Sequence, residues 1–283
     1  GSDVTITAFE DEHEEAQLVV QQIKELIDGG TSPSEIAVFY RINSMSRVFE
    51  EALIQSKIPY QVVRGVEFYN RKEIRDLLAY LKVLVNPDDE IALLRIINTP
   101  PRGIGKTTID RIRTYAASHN ITLYTVLKNA RHIDSLSERS KAKIAAFVGM
   151  IEQLKKDIGG EVAPLAERIF VESGLEQSLR TGSVKNQDAL ENVNELINAA
   201  AQYDREAENP SLLDYLQQIS LFSDIDAYDP TSDRVALMTL HAAKGLEFEH
   251  VFIVGLEDSL LPHERSSDCL LYTSDAADEL DGV

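Results

Sequence analysis

The chain has a single cysteine, Cys269, among 283 residues. That excludes an internal disulfide framework and a zinc site built from several thiolates, and it fits a reducing cytoplasm. No run of about 18 apolar residues occurs, so no membrane-spanning helix is expected, and the first residues lack a signal-peptide pattern. The six histidines show no metal-ligand spacing. Positive charge is scarce: 28 Lys and Arg stand against 47 Asp and Glu, a net charge of −19. That is the wrong sign for a simple nucleic-acid binder. Phosphate attraction depends on where the cations lie, however, and not only on their sum. Acidic residues gather early (Glu10, Asp11, Glu12, Glu14, Glu15) and late (Glu257, Asp258, Asp268, Asp275, Asp278, Glu279, Asp281), whereas Arg102, Lys106, Arg111 and Arg113 face Asp110 alone. Charge by itself leaves nucleic acid open. Internal repeats and low-complexity segments are also missing.

What is present is room for one large or two modest cores, organised in two manners. Ala16, Val19, Val20, Ile23 and Ile27 recur at helical spacing across Glu12–Ile27, and Gly29-Gly30 stops that helix. A strand over Ile36–Tyr40, a helix over Arg47–Gln55, a strand over Tyr60–Val63 and a helix over Arg71–Val85 follow. The alternation resumes at Val235–Val254 and predicts a parallel α/β sheet, with buried strands at Val235 onward and at Val251–Val254. Between Asp88 and Asp233 the pattern is helical: Ile91–Ile97, Thr107–Ala117, Leu123–Asn129, Ser137–Ile158, Pro164–Ser173, Asp188–Tyr203 and Ser211–Leu221. Breaks fall at Pro100-Pro101, Gly159-Gly160, Gly174, Gly182 and Asn209-Pro210. A helical block interrupting an α/β domain reads most simply as an inserted domain.

Three segments could carry chemistry. After the strand at Val235 comes a loop too polar for its surroundings: Thr239, His241, Lys244, Gly245 and Glu247. Ligands of α/β sheets bind beyond the carboxyl ends of strands, and Tyr40, Arg41 and Asn43 occupy another such end. The plainer reading is an ordinary connection with a capping Thr and surface cations. The third segment, Gly103–Thr108 (GIGKTT), imitates a phosphate-binding P-loop. The required earlier glycine is replaced by Pro100 and no buried strand precedes it, so the context fails. A helix-hairpin-helix turn fits better: Gly103 and Gly105 permit close approach, Ile104 sits between them, Thr107 can cap the next helix, and Arg102 and Lys106 add charge. Such contacts grip a nucleic-acid backbone without reading sequence. A Gly-rich turn joining two helices is the alternative. Arg71, a cation near a helix start, opposes the macrodipole, which points away from a purely structural role and toward phosphate. Tyr80 and Leu81 share a face with Leu77 and Leu84 and are expected in the core.

The stretch T-x-H-x-x-K-G-L-E-F from Thr239 resembles the fifth helicase motif of the UvrD/PcrA/Rep family, superfamily 1 helicases that move 3′ to 5′ along single-stranded DNA. Ala37–Leu53, Phe68–Glu90 and Leu93–Ile112 resemble further stretches of that family in the same order, and the similarity runs from about Asp3 to Arg265. It implies the C-terminal half of such a helicase: a RecA-like parallel sheet, a P-loop NTPase-like fold without the P-loop, interrupted by an all-helical domain. The expected parts are 1–87 (first part of the RecA-like domain), 88–233 (inserted helical domain with the GIG turn) and 234–267 (second part). By the resemblance, Thr239 and His241 contact the single strand, joined by Arg71. Tyr40 stacks on adenine, Arg41 reaches the γ-phosphate, Glu247 binds the ribose, and Lys244 and Gly245 shape the loop linking the two sites. Arg102, Gly103, Ile104, Gly105, Lys106 and Thr107 grip the duplex. Ala242 stands where the family often has Ser.

The resemblance also implies what the chain does not carry. The P-loop lysine, the Mg²⁺-binding acidic pair and a second arginine for the γ-phosphate are not among its motifs. ATP and Mg²⁺ would be bound jointly with a further N-terminal motor domain, and the chain alone is expected not to hydrolyse ATP. Residues 268–283 read as an artefact: Cys269–Glu279 looks like a translated transposon-end adapter of the kind used in sequencing libraries. The native sequence would then end near Ser267. Two other classes stay open at this point. A non-enzymatic DNA- or protein-binding module could retain this fold, and a small NTPase could use GIGKTT, in which case Lys106→Ala would abolish nucleotide binding.

Overall fold

The computed structural model of the chain describes residues 4–181, 185–223 and 233–257. The expectations for Gly182, for the late acids from Asp258 onward and for the tail at 268–283 lie outside these residues. The chain forms two compact units, Gly1–Glu67 with Asp229–Val283, and Phe68–Tyr228. Among the described residues no helix is long and apolar enough to cross a membrane.

The first unit is built on a four-stranded parallel sheet. Helix α1 (Glu12–Asp28) starts where the Asp11 carboxylate accepts the amides of His13 and Glu14, and it ends at Gly29. Strand β1 (Ile36–Tyr40), α2 (Ser46–Gln55), β2 (Tyr60–Val62), β3 (Val235–Thr239) and β4 (His250–Ile253) complete it, in the order β2-β3-β1-β4. Side chains alternate across a strand. Ile36, Val38 and Tyr40 therefore face one way, packing with Ala16, Val20 and Ile23 of α1 and Phe49 and Leu53 of α2. Ala37 faces the other way, with Ala236 and Met238. The two central strands are accordingly apolar at nearly every position. β4 is not the buried strand expected from its composition. It pairs only with β1 among the described residues, and Val251 and Ile253 are 44% and 49% exposed. Strand order, which periodicity does not encode, decides that difference.

The second unit is helical: α3 (Lys72–Val85), α4 (Glu90–Ile96), α5 (Lys106–His119), α6 (Leu123–Lys128), α7 (Glu138–Leu154), α8 (Val162–Glu172), α9 (Leu175–Arg180), α10 (Lys185–Glu206) and α11 (Leu212–Ser223). α3 packs against α4, α8, α10 and α11. It is buried nearly all round, at Ile74, Leu77, Leu78, Tyr80, Leu81, Val83 and Leu84, as a central helix must be. Burying each such Leu contributes roughly 2 kcal/mol, which explains why α3 clusters with the helices rather than with the sheet. α10 also caps α8, since the Asp204 carboxylate accepts the amides of Val162 (2.9 Å) and Ala163 (2.8 Å). α9 was not expected, because Gly174 breaks the pattern there. Gly174 instead takes φ +84 as the N-cap of α9, and Ser173 Oγ accepts the amide of Leu175.

Candidate nucleotide and nucleic-acid interface

β1 and β3 are adjacent and parallel, with Tyr40 beside Thr239 in register. Their carboxyl ends therefore open at the same edge, where the polar residues follow. The amide of Leu240 still bonds to Tyr40 O (2.9 Å) before the chain turns away. Thr239 then forms the turn itself: its carbonyl accepts Ala242 N (2.9 Å) and Ala243 N (3.1 Å), and its Oγ1 also accepts Ala242 N (3.3 Å). Gly245 at φ +84 lets the loop reverse, a conformation costly for any residue with a Cβ. His241, Lys244, Gly245 and Glu247 are left exposed around that turn.

Arg41 and His241 are brought together. Arg41 Nη1 lies 3.1 Å from Nδ1 of His241 and 3.4 Å from Nε2. Tyr40 is placed differently from a stacking surface. Period two puts its ring on the Ile36 and Val38 face, and its relative exposure is 0%. No face of the ring is open to a base in this arrangement.

The GIG turn is organised by two residues that sequence reasoning either missed or read otherwise. Asn98 Oδ1 accepts the amides of Arg102 (2.8 Å) and Ile104 (3.2 Å), folding the loop back on itself. Arg102 Nη1 donates to the carbonyls of Ile96, Thr99 and Pro100 at 3.0, 2.8 and 3.2 Å. Its Nη2 donates to Tyr80 Oη (2.5 Å) and Ser173 O (2.7 Å), and the guanidinium also faces the Tyr80 and Phe147 rings. Both terminal nitrogens are thus committed to protein, so Arg102 holds the turn. Burial pushes the Tyr80 phenol up to about 12, partly offset by Arg102, so it stays a neutral donor to Thr99 O (2.5 Å). Ile104 is 1% exposed and anchors the loop from below.

What remains outward is Gly103, Gly105, Lys106 and Thr107. Gly103 has φ +70, and a Cβ there would meet Lys143 Nζ, which donates to Gly103 O at 3.1 Å. Thr107 does not cap α5. Gly105 is the N-cap without any side-chain bond, and Thr107 lies within the first turn. The amides of Lys106 and Thr107 have no acceptor among the described residues. Free first-turn amides beside a lysine form an anion-attracting end.

Arg71 is the N-cap of α3 and is 8% exposed. Its Nη1 donates to Asn192 Oδ1 (2.8 Å), Asn192 Nδ2 donates to Glu73 Oε1 (2.7 Å), and the guanidinium lies 5.1 Å over the Phe68 ring. Asn192 and a ring, 121 positions and three positions away respectively, offset the unfavourable end of the helix dipole. Among the described residues no three His, Cys, Asp or Glu side chains form a metal-binding group.

The family model of the UvrD-like helicase C-terminal domain matches residues 1–280. Among curated proteins, the chain is 41% identical over 259 residues to the ATP-dependent DNA helicase PcrA of Staphylococcus epidermidis, covering 90% of this chain and 35% of that protein. Identity to the ATP-dependent DNA helicase PcrA of Staphylococcus aureus is 38% over the same length, with the same coverage. The chain thus spans about a third of the length of the curated relatives it matches.

Proposed function

The chain belongs to the UvrD-like helicase C-terminal domain family, and from that premise we propose that it is part of an ATP-dependent 3′–5′ DNA helicase acting in repair or replication. In this reading it supplies contacts to both forms of DNA and half of an ATP site. The single observation that carries the reading is the shared edge of β1 and β3, where Arg41 and the loop from Thr239 to Glu247 emerge together. One strand end serves the nucleotide and its neighbour serves the DNA, so a movement of either is felt at the other.

Thr239 and His241 would meet the phosphates or sugars of a single strand. Arg41 would face the γ-phosphate and Glu247 the ribose, with Lys244 and Gly245 shaping the loop between. ATP with Mg²⁺, when bound against a further motor domain carrying the P-loop, supplies the free energy for opening and closing. This chain's residues orient the nucleotide and do not hydrolyse it unaided. Burial of Tyr40 supports a supporting place under Arg41 rather than adenine stacking in this state. For the duplex, Gly103, Gly105, Lys106 and Thr107 would approach the backbone while Arg102, Asn98 and Ile104 hold the loop. Arg71, tied to Asn192, would act on the strand chiefly by fixing the start of α3. The cytoplasm is the proposed location.

The test is binding of oligo-dT and of blunt duplexes of unrelated sequence to the native chain and to Thr239→Val and Lys106→Ala. Sequence-independent binding, with Thr239→Val weakening the single strand and Lys106→Ala the duplex, supports the reading. Unchanged binding in both variants refutes it.

A further inference from the structure

The contact between Arg41 and His241 joins a residue assigned to the nucleotide with one assigned to the DNA strand. We propose that Arg41 is a releasable latch on His241: while it rests on the imidazole it withholds that ring from the single strand. This inference rests on the proposed DNA role of His241. Parallel register places the pair together. Tyr40 lies beside Thr239, so the side chains one and two residues further on leave the sheet at the same edge.

The chemistry makes the two engagements of His241 compete. A guanidinium has only donors, so the nearer ring nitrogen, Nδ1 at 3.1 Å, must accept. A DNA phosphate also has only acceptors, and a nitrogen already accepting from Arg41 has no proton to offer it. Nε2 gives little relief, since it lies 3.4 Å from the same Arg41 nitrogen. Any strand approaching His241 therefore meets a ring turned toward Arg41.

The latch is also weak enough to open. Both side chains lie at the surface, and an exposed hydrogen bond shifts an equilibrium by only about two- to tenfold. Phosphate oxygens are far better partners for Arg than a neutral imidazole, because the bond is charge-assisted and can be two-pronged. An anionic phosphate reaching Arg41 therefore draws it away and leaves His241 free to turn to the strand. The nucleotide site thereby acts on the DNA grip through one side-chain exchange, with no shift of the sheet required.

A double-mutant cycle on the whole chain tests this, with fluorescein-labelled dT16 as probe and thermal melts confirming that each variant folds. His241→Gln is expected to weaken binding about twofold in the native background, and by on the order of tenfold in the Arg41→Gln background, a coupling of about fivefold. Arg41→Lys, which keeps a donor, should return the smaller factor. In ¹⁵N-edited spectra, the Nδ1 resonance of His241 should move toward that of a free acceptor in Arg41→Gln. An equal factor well above one in both backgrounds overturns the latch and leaves the DNA role of His241 standing. A factor of one in both removes the DNA role itself, and the latch with it. A structural role of Arg41 would lower binding alike with and without His241.

Discussion

Replacing Arg102 with Ala should destabilise the helical unit far more than it weakens DNA binding. Five acceptors share the four protons of the two terminal nitrogens: the carbonyls of Ile96, Thr99, Pro100 and Ser173, and Tyr80 Oη. Bonds from an ionised donor contribute about 1.5–3 kcal/mol each, but they are not additive, and water can replace some of them at a half-buried site. Loss of the whole set should cost on the order of 3–5 kcal/mol, the range for breaking a buried charged network. In a domain of this size each kcal/mol moves the midpoint by roughly 2–4 °C, so a fall on the order of 10 °C is expected by calorimetry. Arg102→Lys keeps the charge but concentrates its donors at one point, and should recover about half of that loss. A fall under about 3 °C, together with weakened duplex binding, would show that Arg102 is a phosphate ligand and would refute the clamp.

Four further outcomes follow from the same geometry. Gly103→Ala should cost about 1 kcal/mol for its positive φ and should displace Lys143, whereas Gly105→Ala, with open space around it, should be near neutral in urea melts. Asn98→Ala should expose the amides of Arg102 and Ile104, read as lost hydrogen-exchange protection confined to that loop. Lys106→Ala should lower the log–log salt slope of duplex binding by about one. Burial raises the Glu15 carboxyl above 4.5, against the opposing bond from Gly255 N. The folded state then holds a proton that the unfolded state releases, so this group's contribution falls as pH rises through the window above 4.5. Glu15→Gln should flatten that slope in urea midpoints taken across mildly acidic pH.

Much of the scaffold was legible because it rests on local signals. Gly29-Gly30 and the apolar run Ile36–Tyr40 bracket β1 at the residues expected. Asp11, Thr122 and Ser137 cap the helices they precede. What escaped depends on residues distant in the chain. The edge place of β4 follows from strand order. The burial of Tyr40 follows from which face α1 and α2 cover. Arg102 looked like a free cation because Tyr80 and Ser173 lie 22 and 71 positions away. Arg71 meets Asn192 in the same manner. Asn98 carried no signal beyond its place before Pro100-Pro101, although an Asn ahead of a tight loop is a common organiser of backbone amides. The loop at Thr239–Glu247 stood out because its polarity was wrong for its neighbours, and that local contrast survives in the exposed turn.

Fluorescence anisotropy of this chain on dT16 and on a blunt duplex, across 50 to 200 mM salt, tests most directly whether it grips DNA at two separate places (a range over which about six phosphate contacts would lower affinity about a thousandfold). Binding to both, insensitive to sequence and falling steeply with salt, is expected. Thr239→Val and His241→Gln should act on the single strand alone, and Lys106→Ala on the duplex alone. Binding that ignores salt, or that all three variants leave untouched, would contradict a DNA-gripping role for this chain.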